Sequence, residues 1–150
     1  MKESAVKEIH FQQWFDEAPA ALFERFMRHE RLAEIYPAKF QRVQDADQGD
    51  PDGAGSIREI NANGLRFCEQ GTFCEVPARI HYRIVCCRKL ISHHRGYMAF
   101  SPVAGGTLLD YRMELAFRLP LDAIWAALMK RMVQGRMRRL AARIKQQESS

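Results

Sequence analysis

The sequence predicts an α+β domain: a strongly curved antiparallel sheet of about seven strands packed against one long C-terminal helix. Three observations carry this. Residues 39–119 form a succession of extended runs parted by turn signals, among them Asn63-Gly64, Pro77, and Pro102 with Gly105-Gly106. Several runs alternate apolar and polar residues, so one face of the sheet is buried and the other is wet. After Pro120 a single helical pattern runs from 121 to 147 with no further proline. A chain of 150 residues fits one domain, 1–150, with room for a sizeable core.

Residues 4–13 read as the first strand, rich in Val, Ile and Phe. Asp16, Glu17, Ala18 and Pro19 then open a helix, because proline suits its first position and acids suit the positive end of its dipole. Leu22, Phe23, Phe26 and Met27 give that helix one apolar stripe. A second short helix fits 29–36 and is ended by Pro37. A strand fits 39–47. The segment 45–55 (DADQGDPDGAG) reads as a solvated hairpin turn. A calcium loop starting at Asp45 would need an acid, a glycine and a glutamate where the chain has Gly49, Asp50 and Ser56.

Strands are expected at 56–62, 65–76, 79–87, 89–101 and 106–119, with a junction at Arg88. In the last of these, Leu109, Tyr111, Met113, Leu115 and Phe117 share one face, opposite Asp110, Arg112, Glu114 and Arg118. Ile80, Tyr82, Ile84 and Cys86 alternate in the same way with Arg79, His81 and Arg83. In the long helix, Asp122 lies in the first turn and Arg143 and Lys145 in the last, matching the dipole. Leu121, Trp125, Leu128 and Met132 form one apolar stripe. Val133, Met137, Leu140 and Ile144 form another, rotated by about 100°. The change falls at Gly135, which predicts a bend or re-facing there.

Charge is uneven along the chain. Residues 1–75 hold nine Lys and Arg against fourteen Asp and Glu, whereas residues 76–150 hold fourteen against four. The basic half suits an anionic partner, and the stripe Arg136, Arg139 and Arg143 suits an anionic lipid surface. It has little aromatic interleaving, so no nucleic acid is expected. No metal is expected either. Cys68, Cys74, Cys86 and Cys87 form no CxxC pair, and His81, His93 and His94 add no standard ligand spacing. Reduced thiols, no apolar leader and no run long enough to span a membrane predict a soluble cytoplasmic protein. Oligomeric state is left open. The absence of GxSxG, GxGxxG, P-loop and HExxH patterns removes most support for covalent hydrolase, nucleotide-binding and zinc-protease readings.

Several segments together carry a family resemblance. They are EAPAALFERF (17–26), Pro37, GSIRE (55–59), YMAFSPVAGGTLLDYRMEL (97–115) and the long helix. On these the chain resembles the START/Bet v 1-like (SRPBCC) superfamily, in particular its polyketide cyclase/dehydrase and lipid-transport branch. Tyr36 and Tyr111 stand where that group often carries Trp. The resemblance implies a helix-grip, in which the sheet wraps the long helix around a deep apolar cavity, with no cofactor. It also implies a function: binding, with transport as an extension, of a small hydrophobic or amphipathic ligand. The expected lining is Tyr82, Ile84, Met98, Tyr111, Met113, Phe117, Trp125, Leu128, Met129 and Met132, with His94 and Arg95 as polar contacts. Adaptable methionines suit a pocket that repacks around its ligand. The alternative is a cyclase or dehydratase. Its acid and base groups would come from Glu69, His81, His93, His94, Tyr82, Tyr97, Tyr111, Arg95 and Arg112. Strand alternation lets only one of His93 and His94 face inward, and parity leaves open which.

Overall fold

Asn63 and Gly64 both adopt positive φ, 52° and 88°, the left-handed pair that a two-residue hairpin needs. They join β3 (Ile57–Ala62) to β4 (Leu65–Glu75) and fix the register of that pair, with Ala62 opposite Leu65 and Arg58 opposite Glu69. The computed structural model describes residues 5–86, 91–118 and 120–148. The other elements are β1 (Lys7–Phe15), α1 (Pro19–Met27), a 3₁₀ segment (His29–Glu34), β2 (Lys39–Gln44), β5 (Arg79–Cys86), β6 (Ile91–Val103), β7 (Gly106–Phe117) and α2 (Asp122–Glu148). Cys87 and the junction expected at Arg88 lie outside the described residues.

The strands form one antiparallel sheet in the order β1-β7-β6-β5-β4-β3-β2. This is the helix-grip α+β arrangement expected from the sequence. α2 packs on β1 and β7, and α1 reaches β6 and β7. The core lies between them. Phe11, Phe15, Leu109 and Leu115 come from the sheet, Phe23 and Phe26 from α1, and Met137, Leu140 and Ile144 from α2.

The reading of α2 needs correction. Its buried stripe is Ala126, Val133, Met137, Leu140 and Ile144, with Met129 half-buried in the same line. These positions repeat every three or four residues across Gly135, so the helix keeps one inner face and runs unbroken there. Leu121, Trp125, Leu128 and Met132 lie on another side and stay exposed. A helix laid along a sheet buries the stripe that continues over its length. The outer stripe passes into Arg136, Arg139 and Arg143, so the bend or re-facing expected at Gly135 does not occur.

The acidic turn is also less solvated than its composition suggests. Arg28 makes a bidentate bond to Asp50, with Nη1 donating to Oδ1 at 2.6 Å and Nη2 to Oδ2 at 2.5 Å. Arg42 Nη1 donates to Asp52 Oδ1 at 2.7 Å. These bonds fasten the turn to the end of α1 and to β2. His29 is buried beneath, with Nδ1 3.5 Å from Asp52 Oδ1 and Nε2 3.5 Å from the Ser56 hydroxyl. Burial first, then the neighbouring arginines, lower its pKa to about 4 despite Asp52.

The unfolded chain therefore takes up a proton on His29 before the folded one does. Stability is full above about pH 6.5 and is lost as pH falls towards 4. A melting temperature lower by about 5 °C at pH 4.5 than at pH 7 is expected, and His29→Gln should flatten that window. Thermal denaturation across pH checks this.

Candidate functional site

The alternation of strands builds a cavity of about 180 Å³ between the sheet, α1, the 3₁₀ segment and α2. Its wall takes every second residue from four strands: Arg58, Ile60 and Ala62 from β3, Phe67 and Glu69 from β4, Tyr82 and Ile84 from β5, and Tyr111 and Met113 from β7. β6 supplies Ile91, His94 and Met98. A bulge between Ile91 and His93 switches its parity, so both Ile91 and His94 face inward. Tyr36, Phe40, Met129 and Met132 close the remaining sides.

Within this apolar chamber the polar groups are concentrated. Arg58 donates to Glu69 Oε1 from Nη2 at 2.9 Å and from Nε at 3.1 Å, and both side chains are about nine-tenths buried. Burial disfavours the Arg58 charge, but the Glu69 carboxylate outweighs it and holds the guanidinium protonated. Arg58 also lies 5.5 Å from the Tyr82 ring centroid. The hydroxyls of Tyr82 and Tyr111 are hydrogen-bonded, and that of Tyr36 approaches Tyr111. Burial raises all three phenols well above their ordinary pKa, so they are protonated donors at neutral pH.

His94 is buried with its ring 5.5 Å from that of Tyr82, and its Nδ1 has no hydrogen-bond partner. Burial lowers its pKa, with Glu69 opposing, so the imidazole is neutral. The corner thus combines one neutralised ion pair, three hydroxyls and one neutral imidazole with an unused nitrogen. It can orient an oxygen-bearing end of a mostly apolar molecule.

Of the residues expected at the site, Tyr82, Ile84, His94, Met98, Tyr111, Met113, Met129 and Met132 line the cavity. Four do not. Arg95 is exposed on the outer face, because it neighbours inward-facing His94 on a strand. Phe117 is buried in the core beyond the cavity. Trp125 and Leu128 are exposed on the outer side of α2. Among the candidate acid and base groups, His81, His93, Tyr97 and Arg112 also belong to the outer face. There Arg112 stacks 4.7 Å over the Tyr97 ring and His93 meets Glu114 at 3.3 Å. Glu69, His94, Tyr82 and Tyr111 converge inside.

Arg58, Tyr36 and Phe67 also line the cavity, and the sequence reading does not place them there. The signal for Arg58 was there. A two-residue Asn-Gly turn sets the β3–β4 register, and counting back from Ala62 opposite Leu65 places Arg58 opposite Glu69. Among the described residues no group of three His, Cys, Asp or Glu side chains is arranged to hold a metal. No helix among them is long and apolar enough to cross a membrane.

The sequence profile of the family described as polyketide cyclase / dehydrase and lipid transport matches residues 11–145. No curated protein matches in sequence. Solved structures match in fold at low identity. A START superfamily protein from Mycobacterium smegmatis has a TM-score of 0.77 at 12% identity, covering 93% of this chain and 97% of that one. Ara h 8.0201 has a TM-score of 0.73 at 15% identity, covering 95% and 99%. The di-domain ARO/CYC StfQ from the steffimycin biosynthetic pathway has a TM-score of 0.76 at 14% identity, with 97% of this chain covering 52% of that one.

Proposed function

The chain belongs to the polyketide cyclase / dehydrase and lipid transport family, and on that premise we propose that it is a cytoplasmic protein that holds a small hydrophobic or amphipathic molecule between sheet and α2. The observation that carries this is an apolar cavity of about 180 Å³ with its polar groups gathered in one corner. A dry cavity of about 150 Å³ accepts benzene, so a ring-sized ligand fits without rearrangement. Met98, Met113, Met129 and Met132 can yield to a longer one. The ligand would place an oxygen near Tyr82, Tyr111, Arg58 and His94 and its hydrocarbon part among the methionines.

Native mass spectrometry of protein purified from cells, followed by denaturing analysis, tests this. A discrete co-purifying apolar mass is expected. If nothing co-purifies and no apolar compound raises the melting temperature, the reading fails. A bound ligand at about 100 times its Kd would stabilise by about 2.7 kcal/mol.

A second reading, a cyclase or dehydratase, has one observation in its favour. The unpartnered Nδ1 of His94 lies in the same cavity as the Tyr82 and Tyr111 hydroxyls, a neutral base beside two acids. Such an enzyme would lose turnover of an enolisable polyketone by at least about 100-fold in His94→Gln while still binding it. Equal turnover in the variant would remove this reading.

A further inference from the structure

Leu121, just before α2, and Ile124, Trp125, Leu128 and Met132 on its first half form an exposed apolar strip, each more than 40% exposed. Scattered surface apolar residues need no explanation, but five large ones together on one helix side do. Leu121 adds to this. It holds a φ of 66°, the left-handed region where glycine is the ordinary choice, and its side chain is 66% exposed. Its carbonyl accepts the Ile124 and Trp125 amides at the start of α2, whereas its side chain is left to solvent.

The strip is continuous with the cavity. Met132 belongs to both, being 46% exposed while also lining the wall beside Met129. Across the opening, Ala62 and Phe67 line the cavity, and Leu65, paired with Ala62, is half exposed at the tip of the β3–β4 hairpin. The cavity therefore reaches the surface between two apolar edges.

Charge selects the occupant. Over Asp122–Glu148 the helix carries seven Lys and Arg against two acids. Arg131 is exposed beside the strip, and Arg136 and Arg139 continue its line. Arg143 is instead tied to the 3₁₀ segment, its Nη2 donating to the Glu34 carbonyl at 2.5 Å. A second copy of the chain laid on this strip would bring the two cationic helices together. An anionic bilayer meets both features at once, since apolar side chains enter the acyl boundary and flanking cations meet the headgroups.

We propose that the first half of α2, with the β3–β4 tip, is a docking surface for anionic lipid bilayers that turns the cavity opening towards the membrane.

The test uses vesicles of phosphatidylcholine with three parts in ten phosphatidylglycerol, in a Trp14→Phe background that leaves Trp125 as the reporter. The protein should float with these vesicles. Trp125 emission should shift to the blue and be quenched by acyl-brominated lipid. Ile124→Glu with Leu128→Glu, both at exposed positions, should weaken binding at least tenfold. So should purely phosphatidylcholine vesicles, and so should raising the salt from 0.1 to 1 M. The proposal is overturned if the protein stays in the aqueous phase. It is equally overturned if Trp125 emission is unmoved on binding, or if the double glutamate variant turns a solution dimer into a monomer, which would make the strip a self-association face. The readout needs no cavity ligand, so failure here leaves the ligand-binding reading standing.

Discussion

Glu69→Ala is expected to lower the melting temperature by about 10 °C. The substitution leaves the Arg58 guanidinium nine-tenths buried without its carboxylate. Removing one partner of a buried pair costs about 3–5 kcal/mol, because the remaining charge stays out of water uncompensated. For a domain of this size each kcal/mol is worth about 2–4 °C. Replacing both partners, Arg58→Met with Glu69→Leu, removes the charge along with its partner and should return stability close to the parent's or above it. The same double variant takes the ion pair out of the polar corner and leaves only the tyrosine hydroxyls and His94 there. It should keep plain hydrocarbons and lose affinity for a ligand with an oxygenated end. Thermal denaturation of the three proteins decides this. A single variant within 2 °C of the parent, at a precision of about 0.5 °C, would mean that water reaches Arg58.

Gly96→Ala is the second large effect. Gly96 is paired with Tyr82 in the β5–β6 register, and the Tyr82 ring lies over it. A Cβ there would fall inside van der Waals contact with Cζ, Cε1 and the hydroxyl of Tyr82. The ring is rigid and must swing away. That breaks the Tyr82–Tyr111 hydrogen bond and the Arg58 contact. Overpacking costs about 1–3 kcal/mol, and an unsatisfied buried hydroxyl a similar amount, so a loss of about 3 kcal/mol is expected. Ligand affinity should fall with it. Gly96→Ala combined with Tyr82→Ala should cost clearly less than the two changes added, since the clash needs both side chains. Simple additivity in that cycle would show that Tyr82 does not occupy the space over Gly96.

Much of the fold was legible because hydrophobic alternation, Asn-Gly and the Pro120 break report directly on backbone geometry. The inward faces of β5 and β7, with Tyr82, Ile84, Tyr111 and Met113, followed from the same alternation. The choice between His93 and His94 was not legible. It turned on a bulge that puts two residues of β6 where regular pairing has one, and a bulge leaves no composition signal here. α2 misled because it carries two apolar stripes. Along the first half the stripe with the larger side chains, including Trp125 and Leu128, reads as the inner one, yet the continuous one with Ala126 at its head is buried there too. The Arg58–Glu69 pair was hidden for a different reason. Charged residues at inward positions contradict hydropathy, and only their direct pairing across β3 and β4 makes their burial tolerable.

The most direct test of the cavity as a ligand site is a methyl-NMR titration of the methionines with 1-anilinonaphthalene-8-sulfonate, an aromatic probe with one anionic end. Met98, Met113, Met129 and Met132 line the cavity, whereas Met27 and Met137 are buried elsewhere. The account predicts saturable one-to-one shifts confined to the first four, weakened in the Arg58→Met, Glu69→Leu protein. Shifts spread over all six, or no saturable shifts at all, would contradict it.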